Sequence, residues 1–228
     1  ILGLEKRSLN KEIMSDPILY SFIRCPYAIR ARSAIKLINF KCVIREIRLN
    51  NKPEHMLKAS PKGTVPVLIL KDQIIDESID IINWALDKKN VFEGNLSKEH
   101  LELTENIINH FDNDFKYHLD RYKYANRYQE VDSKLHQKKC LNILSDLEKI
   151  ISDKNWIFGK KLNKLDISIL PFIRQFRIAN PDWFDSQKNI RKIQKVLHNY
   201  MKSELFNDVM FKFDVWEEGS EKVYFPVT

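Results

Sequence analysis

The sequence predicts two domains of different class: an α/β domain of order β-α-β-α-β-β-α over residues 16–90, then an all-helical domain over residues 97–228. Three observations predict it. Short β-branched and aromatic runs alternate with amphipathic stretches as far as residue 88, and beyond about residue 97 apolar residues recur at helical steps only. Five glycines and eight prolines in 228 residues leave no room for a long linker. A chain of that length buries enough surface for two small cores.

The elements follow in order. Ile18-Leu19-Tyr20-Ser21-Phe22 has strand composition, and Cys25-Pro26 opens a helix whose buried face is Ile29, Ala31, Ala34, Ile35 and Ile38. Val43, Ile47 and Leu49 alternate with charged residues, as in a half-exposed strand. A short segment follows Pro53. Val67-Leu68-Ile69-Leu70 and Ile74-Ile75 flank Lys71-Asp72-Gln73 as a hairpin, and Ile79, Ile82, Trp84 and Leu86 line a third helix from Ser78. Such an order calls for a mixed sheet with helices on both faces. In the second domain, Leu101, Ile108, Phe111, Phe115 and Leu119 mark one helix, and Leu135, Leu141, Leu144, Leu147 and Ile151 a second. Asn163 reads as the N-cap of a third helix with Asp166 three residues on, and Ile167 to Ile173 is apolar on most faces, as a central helix should be. Ile190 to Met201 gives one more amphipathic helix. Residues 205–228, rich in Phe and Trp, read as a tail packed back on the body.

Bulk properties exclude several classes. Hydrophobic residues are 43% and charged residues 30%, and no apolar run reaches the roughly 18 residues of a membrane span. Charges interrupt Ile1 to Met14, so a secretory signal is not expected; Met14 can serve as a start, with residues 1–13 as an extension. Three cysteines, Cys25, Cys42 and Cys140, do not make a disulfide scaffold and fit a reducing compartment, so the cytoplasm is expected. The net charge of +7 comes from Lys and Arg scattered among acids, as on a solvated surface. The basic, aromatic stretch Arg121 to Tyr128 is short and flanked by Asp120 and Glu130, so no nucleic acid is expected as partner. A positive field still favours anionic small molecules approaching a cleft. No His/Cys cluster has zinc spacing: His110 and His118 stand eight apart without a third ligand, and no metal is expected.

Three features can carry chemistry. Cys25 lies between a strand and a helix, where free backbone N–H groups and the helix dipole lower a thiol pKa; otherwise it is a buried, inert cysteine, as Cys42 and Cys140 look to be. Cys25-Pro26-Tyr27-Ala28 has alanine where a dithiol motif has its second cysteine, so any disulfide on Cys25 needs a separate small thiol to resolve it. Gly63-Thr64-Val65-Pro66-Val67 places a proline at a strand's start. It is either a tight turn or a cis-proline that leaves the Val65 backbone to pair with an extended peptide. Asp76-Glu77-Ser78 is either a capped helix or a seat for the carboxylate and amine of an α-amino acid.

In combination these features resemble the thioredoxin-like glutathione-binding domain of the glutathione transferase superfamily, over residues 18–88 in order and spacing. Cys25-Pro26-Tyr27-Ala28, Asn51-Lys52-Pro53 and Ser60 through Leu68 are similar to the omega class and to two-domain glutaredoxins, in which the thiol is a cysteine. Leu165-Asp166-Ile167 and Pro171 through Phe176 look like the family's capped central helix. The resemblance implies an enzyme that uses glutathione as co-substrate, with Cys25 as the nucleophile. Tyr27, Leu49, Lys52, Val65, Pro66, Glu77 and Ser78 would bind glutathione: Val65 by backbone pairing to its cysteinyl unit, Glu77 and Ser78 at the γ-glutamyl end, Lys52 near the glycine carboxylate. Tyr27 departs from the phenylalanine or tryptophan common in relatives. A second substrate, a small electrophile or glutathione mixed disulfide, would sit between the domains. Phe115, Tyr117, Arg121, Tyr124 and Tyr128 are candidates to line that cleft, or are surface aromatics with core-facing neighbours. Thiol transfer through a Cys25–glutathione disulfide is the leading expectation. Conjugation of glutathione to apolar electrophiles and a non-catalytic binding or scaffold role are the alternatives, and a homodimer is common among the relatives.

Overall fold

The computed structural model describes residues 16–227. The expectation that residues 1–13 form an extension ahead of Met14 falls outside them. The first domain runs β1 (Ile18–Ser21), α1 (Pro26–Leu37), β2 (Cys42–Glu46), α2 (Glu54–Ala59), β3 (Val67–Ile69), β4 (Ile74–Ile75) and α3 (Ser78–Lys88), in the expected order. β1 pairs in parallel with β2 and antiparallel with β3, and β3 and β4 form the antiparallel hairpin. The hairpin loop closes through Leu70 N–H donating to Gln73 O at 2.9 Å.

The sheet has a fifth strand. β5 (Tyr224–Phe225) comes from the far end of the chain and lies antiparallel beside β2, giving the order β4-β3-β1-β2-β5. This changes the expected character of β2: every residue except the half-buried Arg45 is buried. The tail supplies the cover. Trp216 N–H donates to Glu46 O at 2.8 Å, Ile44 N–H to Val223 O at 2.9 Å, and the fully buried Phe225 stands opposite Cys42. An edge strand that sequence alternation marks as half-exposed is thus paired and sealed by the chain's own tail.

The helical domain contains α4 (Lys98–His110), a π-helical turn at Phe111–Phe115, α5 (Lys116–Lys123), α6 (Ser133–Glu148), α7 (Lys164–Ala179), α8 (Pro181–Ser186), α9 (Arg191–Lys202) and α10 (Glu204–Val209). α7 is its axis, buried without a break from Leu165 to Ile173. Its start is a complete capping box: Asn163 Oδ1 accepts from Leu165 N–H at 2.9 Å, and the Asp166 carboxylate accepts from Asn163 N–H at 2.9 Å. Asp166 also accepts from Ile157 N–H at 2.9 Å, so one carboxyl ties the preceding loop to the helix. Its burial pushes the carboxyl up to about 7, against the lowering effect of the two N–H donors.

One buried cation joins the two domains. Arg30 of α1, with no solvent exposure, donates to the Ser168 carbonyl of α7 at 2.5 Å and pairs with Asp112 of the π-turn at 2.7 Å. Its guanidinium lies 4.4 Å from the Phe172 ring centroid. A buried charge paired in this way fixes α1, and the residue that precedes it, against the helical domain.

Candidate active site

Cys25 is the N-cap residue of α1, and Pro26 fills the first helical position, where no N–H is missed. Cys25 N–H donates to Phe22 O at 2.9 Å, which closes the turn out of β1. Two residues earlier in that turn, Ile23 N–H donates to Glu46 Oε1 at 2.6 Å. The loop that presents the thiol is therefore held from β2 as well as from α1. The Sγ atom points across to the Val65 carbonyl oxygen, 3.7 Å away, and the Val65–Pro66 bond is cis.

The electrostatics depart from the expectation of a lowered pKa. Burial pushes the Cys25 thiol up, and it outweighs the N–H groups of Ala28 and Tyr27 and the positive charges of Lys116 and Arg30, all of which pull it down. The residue keeps partial exposure while its sulfur sits low in a cleft, so little water reaches the thiolate. Cys42 and Cys140 are fully buried, and desolvation drives both thiols up, Cys42 to about 12.

That cleft, of about 820 Å³, lies between the domains. Cys25, Tyr27 and Leu49 line it from the first domain, and Lys116, Tyr124 and Gln175 from the second. Of the residues singled out for a second substrate, Tyr124 and Tyr128 line the cleft. Phe115 is fully buried in the helical core, Tyr117 is half-exposed, and Arg121 stacks on the Tyr117 ring at 3.4 Å. Neither Tyr117 nor Arg121 is among the residues that line the cleft. Sequence reading passed over Lys116, Arg48 and Gln175. Lys116 carries no signal of its own in sequence, where a lysine between Asp114 and Asp120 reads as a solvated charge.

Of the expected glutathione-binding residues, Tyr27 packs edge-on against Phe172, with centroids 4.9 Å apart. Glu77 is the N-cap of α3 and makes no side-chain capping bond, so the first-turn N–H groups have no local acceptor. Glu77 pairs with Lys62 at 2.7 Å, and buried Ser78 accepts from Arg30 at 3.4 Å. Lys52 reaches Gly63, whose φ of +62° suits glycine; a Cβ there would stand 3.2 Å from Leu57 and 3.4 Å from Lys52 Nζ. Among the described residues no group of three or more His, Cys, Asp or Glu is placed to hold a metal ion. His110 bonds Asp114, and His118 meets His136 at 2.7 Å, a pairing not visible in sequence.

Residues 19–93 match the family model of the glutathione S-transferase N-terminal domain. A probable glutathione S-transferase DHAR2, chloroplastic, from Oryza sativa subsp. japonica is 35% identical over 65 residues, 28% of this chain and 24% of that protein. The chain thus matches about a quarter of that relative's length. Glutathione S-transferase U28 of Arabidopsis thaliana is 27% identical over 165 residues, 71% of this chain and 73% of its own. Among solved structures, a glutathione transferase family member from Pseudomonas fluorescens with two glutathione bound superposes with TM-score 0.73 at 16% identity, covering 90% of this chain and 96% of its own. The Tau class glutathione S-transferase of mango gives 0.74 at 21%, covering 87% and 94%. The fold of both domains is therefore that of glutathione transferases. Among the described residues no helix is long and apolar enough to cross a membrane.

Proposed function

We propose that this chain is an omega-like, cysteine-type glutathione transferase that acts as a thioltransferase. The observation that carries the reading is the placement of Cys25: it is the N-cap of α1, partly exposed in the interdomain cleft, with Val65 O 3.7 Å from its sulfur. Glutathione would lie along the Val65 backbone. Its γ-glutamyl carboxylate would meet the uncapped N–H groups at Ser78, its ammonium Glu77, and its glycine end Lys52 beside Leu49. The structure of an omega-class relative, glutathione transferase Omega 3C from Trametes versicolor, has TM-score 0.70 at 16% identity, covering 89% of this chain and 87% of its own. A transferase from Pseudomonas putida was solved with glutathione disulfide bound. The three free cysteines fit a reducing compartment, and we place the enzyme in the cytoplasm.

The reaction is two exchanges. The Cys25 thiol gives its proton to solvent, and the thiolate attacks the glutathionyl sulfur of a mixed disulfide, GS–SR. The Cys25–SG bond forms as the S–S bond breaks, and RS⁻ leaves. A second glutathione thiolate then attacks the glutathionyl sulfur, releasing oxidised glutathione and the Cys25 thiolate. A thiol held up by burial is a strong nucleophile once ionised but a poor leaving group, so burial acts on both exchanges, reducing the thiolate available for the first and slowing departure of Cys25 in the second. Cys25→Ser should nearly abolish reduction of a glutathione mixed disulfide, and wild-type rates in that variant would refute the mechanism.

The raised Cys25 thiol also favours a second reading, in which glutathione itself is the activated thiol and is conjugated to apolar electrophiles. In that case Cys25→Ser conjugates as well as wild type or better, so the same variant separates the two.

A further inference from the structure

His118 of α5 and His136 of α6 are not among the residues that line the Cys25 cleft, and the chemistry proposed there does not use them. Their Nδ1 atoms stand 2.7 Å apart, with ring centroids at 4.9 Å and ring planes inclined by 39°. Both side chains are half-buried, so the pair is held in place and still reached by water. Tyr117 stands edge-on to both rings, with centroids at 5.1 and 5.8 Å, and walls the pair on one side. The two helices are joined independently of this contact. Ser133 Oγ donates to Tyr122 O at 3.1 Å, Gln137 Nε2 donates to the Tyr122 hydroxyl at 2.8 Å, and buried Phe115, Leu119, Cys140 and Leu144 share one core beside them. The spacing of the two imidazoles is therefore set by a scaffold that does not depend on them.

That spacing is close to what a metal ion needs. Two imidazole nitrogens bound to one ion at about 2.0–2.1 Å stand about 2.9 Å apart at a right angle and about 3.3 Å apart at the tetrahedral angle. The observed 2.7 Å falls just short of the first, so a modest rotation of the rings admits an ion. The ligand set selects which ion. Asp132 caps α6 through Lys134 N–H, Asp114 bonds His110 at 2.7 Å, and among the described residues no third His, Cys, Asp or Glu completes the pair. Two imidazoles without a carboxylate suit Cu²⁺, Ni²⁺ or Zn²⁺ rather than Mg²⁺ or Ca²⁺, which take oxygen ligands. The positive charges of Arg121 and Lys139 act on the pair and weigh against any cation, so binding is weak and reversible.

We propose that His118 and His136 form a chelating site for a divalent transition-metal ion of the copper, nickel and zinc type, which binds both Nδ1 atoms and links α5 to α6. In the neutral pair one Nδ1 carries the hydrogen-bonded proton and the other accepts it. On ligation that proton leaves to solvent and the same ring takes one up at Nε2, so both rings stay neutral and no net proton is released. Water fills the remaining coordination positions. The proposal is independent of the thioltransferase reading.

The test titrates Ni²⁺ into the full chain carrying Cys25→Ser, so that the partly exposed thiol does not bind the ion. Calorimetry at neutral pH should give a single Ni²⁺ per chain. His118→Gln and His136→Gln should each lower the affinity by more than the roughly tenfold that loss of a ligand's supporting partner costs. His110→Gln, which leaves the pair intact, should not change it. Ni²⁺ should raise Tm in the parent and in His110→Gln but not in the other two variants, and Mg²⁺ should raise it in none. One measurement needs no substitution in the pair: Ni²⁺ is paramagnetic and should broaden the ring proton signals of His118 and His136 ahead of those of the other histidines. No nickel binding by the parent, binding that survives His118→Gln or His136→Gln, or broadening that falls first on other histidines overturns the proposal and leaves the pair as a plain N–H···N brace between two helices.

Discussion

Arg32 of α1 and Glu46 of β2 form an ion pair at 2.5 Å beneath the loop that carries Cys25. Arg32 is fully buried, and it also donates to Ser21 Oγ at 2.8 Å and to the Val209 and Phe211 carbonyls at 3.0 and 3.3 Å. Glu46 in turn accepts from Ile23 N–H at 2.6 Å. The Cys25 loop, the sheet and the C-terminal tail thus meet at one pair of charges. Desolvation lowers the arginine's pKa and raises the glutamate's, so each depends on the other to stay ionised.

Removing one partner leaves the other buried and unpaired. Arg32→Met should therefore cost about 3–5 kcal/mol in urea unfolding. Glu46→Gln, which keeps an acceptor for Ile23 N–H, should cost less and should leave the Cys25 loop in place. Equal and small effects from both would show that the pair does not hold this junction together.

The tail makes a separate contribution. Phe225 is fully buried against the β2 edge, and Phe225→Ala should cost about 3–5 kcal/mol, as for other buried phenylalanines. Amide exchange at Ile44, whose N–H donates to Val223 O, should quicken in the same variant. Unchanged exchange there would mean that β5 is not what protects β2.

Asp166 gives stability a pH dependence whose sign is fixed by its burial. In the unfolded chain an aspartate titrates near ~3.9, whereas burial lifts this carboxyl to about 7 in the folded protein. The folded state therefore holds the extra proton between those values, and the residue's contribution is fully present below about pH 4 and declines as pH rises through 7. The stability difference between wild type and Asp166→Asn should accordingly shrink from pH 5 to pH 8, and a difference that grows over that range would contradict the assignment.

Cys25 should react as a desolvated thiol. Its alkylation rate should rise with pH to a midpoint above the roughly 8.5 of a free cysteine, while the buried Cys42 and Cys140 stay unmodified. Lys116→Met, which removes a charge that favours the thiolate, should move that midpoint further up. A midpoint below 8, or no response to Lys116→Met, would show that the cleft does not desolvate the thiol.

Much of this was legible in the chain because its signals are local. The Asn163–Asp166 spacing marks the start of α7, Cys25-Pro26 marks the strand-to-helix turn, and the three-residue break after Leu70 marks the hairpin. What sequence could not give depends on contacts far apart in the chain. The pairing of β5 with β2 joins residues 225 and 42, and no pattern near Cys42 announces it. Cys25 shows the same limit: its helix-terminal position is a sequence property that argues for a lowered pKa, but it packs against a cluster that includes Ile47, Met56 and Val65, which lie far along the chain. Lys116 and Gln175 are missed because neither has a local signal: a lysine among acids reads as a solvated charge, and an unpaired amide is visible only once its surroundings are folded.

The most direct test of the central claim is intact-protein mass after incubation with oxidised glutathione, on wild type and Cys25→Ser, across pH 7 to 9. A single glutathionyl adduct on wild type alone, forming faster as pH rises, is the result expected if Cys25 is the thiol that accepts glutathione in this cleft. No adduct at any pH, or the same adduct on Cys25→Ser, would contradict it.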